Sequence, residues 1–98
     1  MRIAIATDQD AVAAGFGCAP FMMIAAVEDG RIRETLLIPN LGASHEFWAD
    51  LFFRNSIKVV IAGSMGPTAQ RTMTYWGIQP ILGASGAVED VVRKFAAG

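Results

Sequence analysis

Hydrophobic and polar positions alternate in blocks along this chain, and the blocks change period in a regular order. Arg2–Thr7 (RIAIAT) is short and β-rich and stops at Asp8-Gln9-Asp10, so it is predicted as a first strand. Phe21–Glu28 (FMMIAAVE) and Arg31–Ile38 (RIRETLLI) flank Asp29-Gly30, a two-residue junction that predicts an antiparallel hairpin of second and third strands. Pro39, Asn40 and Gly42 then break the pattern, and Ser44 can cap a helix that runs to about Asn55. Ile57–Ala62 (IKVVIA) is almost continuously apolar, as a strand covered on both faces must be. Gly66-Pro67 opens a second helix, with proline at its first position, and Gly77 closes it. Ile78–Leu82 is the last strand. Ala87–Ala97 is the last helix, with Glu89 and Asp90 in its first turn and Arg93 and Lys94 towards its end, as the macrodipole favours.

The resulting order, β-β-β-α-β-α-β-α, predicts one α/β domain over residues 1–98 with no linker. A hairpin followed by two β-α units gives a mixed sheet with helices on it. Right-handed crossovers place the fourth strand beside the first and the fifth outside it, all three parallel. The expected arrangement is a five-stranded sheet in the order 3-2-1-4-5, second strand antiparallel, with three helices: a three-layer, ribonuclease H-like fold.

Composition narrows the function classes. The 98 residues are 53% hydrophobic and 17% charged, ample for a core. A net charge of −1 argues against a nucleic-acid surface; the Arg31 and Arg33 pair is surrounded by Glu28, Asp29 and Glu34. No apolar run approaches the roughly 18 residues of a membrane span, and the strand-like start is unlike a secretion signal. A single cysteine excludes an internal disulfide framework. The expectation is a cytoplasmic domain without membrane or nucleic-acid partners.

Topology then sorts the unusual residues. The first, fourth and fifth strands share a direction, so their C-terminal loops lie on the sheet edge where open α/β sheets bind ligands. Those loops are Asp8–Asp10, Gly63-Ser64-Met65-Gly66 and Gly83-Ala84-Ser85-Gly86. The second strand is antiparallel, so the loop entering it, AGFGCAP with Gly15, Gly17 and Cys18, reaches the same edge. The third strand delivers Ser44 and His45, the only histidine, there too. The two Gly-x-x-Gly turns stand 20 residues apart and would offer backbone amides and helix N-termini to an anion. They are neither a P-loop nor a dinucleotide fingerprint, and tight-turn chemistry alone also explains them. Cys18 reads as an inert small hydrophobe or as a presented thiol, and His45 as a surface residue or a ligand. Asp8 and Asp10 are ordinary turn residues. Most methionines read as core, Met65 in its glycine loop being the exception. Phe47, Trp48, Leu51 and Phe52 form one apolar stripe read as core; Phe53 falls off it, either exposed or meeting a partner subunit in a homodimer.

The blocks MRIAIATD, GFGCAPFM, KVVIAGSMGPTAQRTM and WGIQPILGASGAVEDVV together resemble the dinitrogenase iron–molybdenum cofactor biosynthesis family over nearly the whole chain. The resemblance implies a ribonuclease H-like fold and a carrier of iron–sulfur or iron–molybdenum type clusters, with cluster-donating and cluster-accepting proteins as partners. The family's histidine before Phe-Gly is replaced by Gly15, its following basic residue by Cys18, and its His- and Gly-rich loop is reduced to LGASHEF with His45.

A preformed cluster is anionic and brings most of its own ligands, so one or two soft donors and amide hydrogen bonds suffice. Cys18 and His45 are the expected metal ligands, with Gly17, Gly63, Ser64, Gly66, Gly83, Ser85 and Gly86 completing the site. These residues cannot build a four-ligand zinc site or a four-cysteine cluster. The alternative is Cys-His nucleophilic catalysis, oriented by Ser64, Ser85 or Asp8, or a phosphate or small-molecule module using the glycine loops. Nuclease chemistry would need a larger carboxylate cluster than Asp8 and Asp10. The carrier, not an enzyme, is the expectation.

Overall fold

The computed structural model describes residues 1–97. It contains β1 (Arg2–Asp8), β2 (Ala11–Val12), β3 (Phe21–Glu28), β4 (Arg31–Pro39), α1 (His45–Arg54), β5 (Val59–Ile61), α2 (Pro67–Tyr75), β6 (Gln79–Ile81) and α3 (Val88–Ala97). The sheet order is β4-β3-β1-β5-β6, with β3 antiparallel to its two neighbours and β1, β5 and β6 parallel. The expected order and directions are therefore present, and so is the three-layer arrangement.

One correction concerns the count: the sheet has six strands, not five. The chain turns back after β1, pairing Thr7 with Val12 and Asp8 with Ala11, and adds the two-residue β2. Gln9 takes φ 57 in that turn without being glycine, so the sequence carries none of the usual hairpin punctuation there. β2 then binds the far end of the chain: Val12 N–H donates to Gly86 O and Val88 N–H to Asp10 O, each at 2.9 Å. Ile57, read as strand, instead closes α1 by donating its N–H to Phe52 O at 2.8 Å.

The period-2 alternation of β1 divides the core. Ala4 and Ala6 face α1 and α2 and share a cluster with Phe16, Trp48, Phe52 and Met73. Ile3 and Ile5 face α3 and pack with Val88 and Val92. Small residues on one face leave room for the bulky aromatic ones of α1, so side-chain volume fixes which helices lie where. The apolar stripe of α1 is only partly core: Trp48 and Phe52 are buried, Leu51 is half-buried and Phe47 is 50% exposed.

The hairpin between β3 and β4 uses the left-handed region twice, at Asp29 (φ 53) and Gly30 (φ 74). An alanine at Gly30 would meet ordinary contact distance, 3.6 Å from Ala96 Cβ, so the backbone conformation alone carries the cost. Gly30→Ala is expected to lose about 1 kcal/mol, from the penalty for a Cβ in that region. Urea denaturation would measure it; an unchanged midpoint would show that the turn relaxes freely.

Candidate functional site

The segment between β2 and β3 is pinned from three sides. Phe16, 2% exposed, plugs the α1-side core, and its N–H donates to Ser64 O at 2.9 Å. Ser64 Oγ donates to Ala14 O at 2.8 Å. From the other side Asn40 holds the segment twice, its N–H donating to Pro20 O and its Nδ2 to Ala19 O, both at 2.9 Å. Cys18 lies between these anchors with its side chain exposed. The thiol folds back so that Sγ stands 3.8 Å from Gly15 O.

Gly15 explains that orientation. A methyl group there would lie 2.9 Å from Cys18 Sγ and 3.6 Å from Ser64 Oγ. The missing side chain at position 15 thus leaves the space that the thiol occupies, and puts the thiol and the Ser64 hydroxyl around one point. Gly17 is exposed, with open space where a Cβ would be.

His45 is the first residue of α1, where Ser44 caps the helix by accepting from Phe47 N–H at 3.1 Å. Its ring meets Phe16, with centroids 6.1 Å apart and planes tilted by 50°. Phe16 therefore links His45 to the segment that carries Cys18. Among the described residues no group of three or more His, Cys, Asp or Glu could hold a metal ion.

The two glycine turns share one edge and touch: Gly83 N–H donates to Gly63 O at 2.8 Å, and Gly63 N–H to Ala13 O at 3.0 Å. Those two amides are spent on structure. The amides of Ser64, Met65, Gly66, Ala84, Ser85 and Gly86 make no hydrogen bond to the described residues. Gly66 caps α2, with Pro67 next, and the first turn of α2 holds no acidic residue. The start of α3, after Gly83–Gly86, carries Glu89 and Asp90. An anion is favoured at the first turn, where the helix partial charge stands alone, and opposed at the second.

Other candidates fall outside this cluster. Met65, singled out as a loop methionine, is buried in the α1-side core. Asp8 ends β1, paired with Ala11 of β2, and Asp10 lines a depression shared with Met23, Ile32, Glu89 and Asp90. Asn40 was legible only as part of a chain break; nothing local marks it as the clamp of the Cys18 segment.

The sequence model of the family described as dinitrogenase iron-molybdenum cofactor matches residues 1–98. Among solved structures the chain is similar to PH0822, at 22% identity and a TM-score of 0.86, over 100% of this chain and 90% of that one. The crystal structure of MJ0327 of Methanocaldococcus jannaschii, provisionally described as a dinitrogenase, matches at 19% identity and TM-score 0.80, over 100% and 89%. TM1290 of Thermotoga, provisionally described as a NifB protein of the DUF35 family, matches at 20% and 0.76, over 99% and 88%. At these identities the likeness is one of fold. No curated protein matches the sequence.

Proposed function

The chain belongs to the dinitrogenase iron–molybdenum cofactor family, and on that premise we propose that it binds a preformed metal–sulfur cluster and carries it between a donating and an accepting protein. The observation that carries the reading is the exposed Cys18 thiol, held on a pinned segment beside Ser64, a residue of the glycine turn whose free amides precede α2. A thiolate supplies one bond to the cluster, and amide donors and a helix N-terminus stabilise its negative charge. A donor set this sparse suits cargo that arrives with its own sulfides and must leave again. Gly17, with nothing where a Cβ would stand, leaves approach to the thiol open, and His45 is the second ligand from across Phe16. Gly83, Ser85 and Gly86 belong to the proposed site as the turn that meets Gly63 through the Gly83 N–H. A reduced thiol implies a reducing compartment, so the cytoplasm is the location this reading entails; no helix among the described residues is long and apolar enough to cross a membrane.

Cys-His catalysis fares less well. It needs a partner that orients the imidazole, and among the described residues no hydrogen bond reaches the His45 ring, whose neighbour is the apolar Phe16. A phosphate-binding module would use the same free amides but has no need of the thiol. Reconstitution of anaerobically purified protein with an iron–sulfur or iron–molybdenum type cluster separates these readings. The expected result is about one cluster per chain by iron, molybdenum and acid-labile sulfide analysis, with visible thiolate charge-transfer absorption. Protein that retains no cluster, yet binds inorganic phosphate, would overturn the carrier in favour of the module.

A further inference from the structure

The outer strand β4 pairs with β3 on one side and, among the described residues, with nothing on the other. It is long for an open edge, nine residues, and carries Leu36 at 60% and Leu37 at 45% exposure. Leu36 borders a groove of about 360 Å³ between the sheet and α1, lined also by Ile24, Ile38 and Leu51. Leu37, its neighbour in the strand, stands on the opposite face.

Register identifies which backbone groups are free. Phe21 pairs with Pro39, Met23 with Leu37 and Ala25 with Thr35, and Asn40 N–H donates to Pro20 O. Bonded and non-bonded pairs alternate in an antiparallel ladder, so Asn40, Ile38, Leu36 and Glu34 bond to β3. Thr35, Leu37 and Pro39 therefore turn their backbone groups outward. Proline, which has no N–H, sits at an outward position where β3 asks for none.

We propose that β4 pairs antiparallel with β4 of a second copy about a two-fold axis at Leu36, joining the two sheets into one. Three registers are available along the exposed window. Centred on Thr35, the pairing sets Leu37 against Arg33, where the β3–β4 ladder shifts register. Centred on Leu37, it sets Thr35 against Pro39, which cannot donate, and leaves the Thr35 carbonyl unpaired. Centred on Leu36, every outward N–H and C=O of Thr35 and Leu37 finds its counterpart in the second copy, giving four hydrogen bonds. The two Leu36 side chains then meet across a close non-bonded pair beside the groove, flanked on the same face by Glu34 and Ile38. Pro39 and the register shift at Ala26/Val27 close the window at both ends, which suits a short symmetric contact rather than a long foreign strand. β4 runs parallel to β1, so the two-fold sends the Cys18 edges to opposite ends of the joined sheet. The contact stands or falls independently of cluster binding.

Sedimentation velocity of the full chain without cluster tests it. The expected result is monomer at about 10 µM and more than half dimer at about 1 mM, as suits an interface below roughly 1,200 Å². Hydrogen exchange should show Thr35 and Leu37 amides gaining protection as concentration rises. Leu36→Glu, and Thr35→Pro, which removes an N–H the monomer leaves in solvent, should each weaken association at least tenfold with unchanged circular dichroism. Phe53→Ser, on the exposed aromatic face where Phe53 stacks edge-on with Trp76, should leave it intact. A chain that stays monomeric at about 1 mM, or a dimer lost in Phe53→Ser but kept in the β4 variants, overturns the proposal.

Discussion

Gly63→Ala is expected to lower the stability of the domain by about 2–4 kcal/mol, the largest loss of any single-methyl change in the loops. The Cα of Gly63 lies directly against the segment that carries Cys18. An added Cβ would stand 2.6 Å from Ala14 O, 2.9 Å from Ala13 O and 2.9 Å from Ala14 Cα. All three are backbone atoms, so no side-chain rotation relieves the clash and two chain segments must separate. Separation strains the bonds from Gly63 N–H to Ala13 O and from Phe16 N–H to Ser64 O. Each is worth about 1 kcal/mol net. Gly66→Ala is the control: a Cβ there meets nothing within 4 Å, and φ is −63°. It should cost about 1 kcal/mol or less, the usual price of alanine at an N-cap. For a chain of this size, thermal unfolding should place Gly63→Ala about 10–30 °C below the wild type and Gly66→Ala within a few degrees of it. Equal midpoints for the two variants would show that the loops do not lock together at Gly63.

That contrast also marks how far the sequence could be read. Sheet order and strand directions follow from Asp29-Gly30 and two β-α units, because hairpin closure and crossover handedness are local or nearly local rules. The same rules place Cys18, His45 and both glycine turns on one edge. The two Gly-x-x-Gly turns look equivalent in sequence, and yet they differ. Gly63 is required for close approach to a segment fifty positions away in the chain, Gly83 and Gly86 for positive φ (82° and 93°), and Gly66 for neither. Which amides stay free depends on that long-range packing, and no local pattern encodes it. β2 was illegible for a different reason: two residues carry no period, and Gln9 turns the chain without glycine. Phe47 follows the helical stripe by spacing, but α1 presents that part of its stripe to solvent, an outcome set by where the helix lies on the sheet.

Cys18→Ala is expected to abolish cluster retention, a loss of at least about a hundredfold in affinity, while leaving stability within about 0.5 kcal/mol of the wild type. Both halves follow from one environment. The thiol is exposed, and its sole polar contact among the described residues is a long one, 3.8 Å to Gly15 O, so its removal opens no buried cavity. The anchors that shape the segment, Phe16, Ser64 and Asn40, are untouched. What disappears is the one soft donor of the proposed site, and amides alone, as at Ser64–Gly66, would attract charge without selecting metal. His45→Ala should weaken retention less, by about tenfold, because in the proposed site the imidazole is a second donor from across Phe16. Gly15→Ala tests the same geometry without touching a ligand: its Cβ would press on Sγ at 2.9 Å and turn the thiol out of place. Its retention should fall between those of the two ligand variants, with the rate of Cys18 labelling by an exposed-thiol reagent rising. Anaerobic cluster titration of the three variants, run beside thermal melts, decides the matter. Wild-type retention by Cys18→Ala would leave this cysteine a surface residue, and a collapse of its melting point would make it part of the packing.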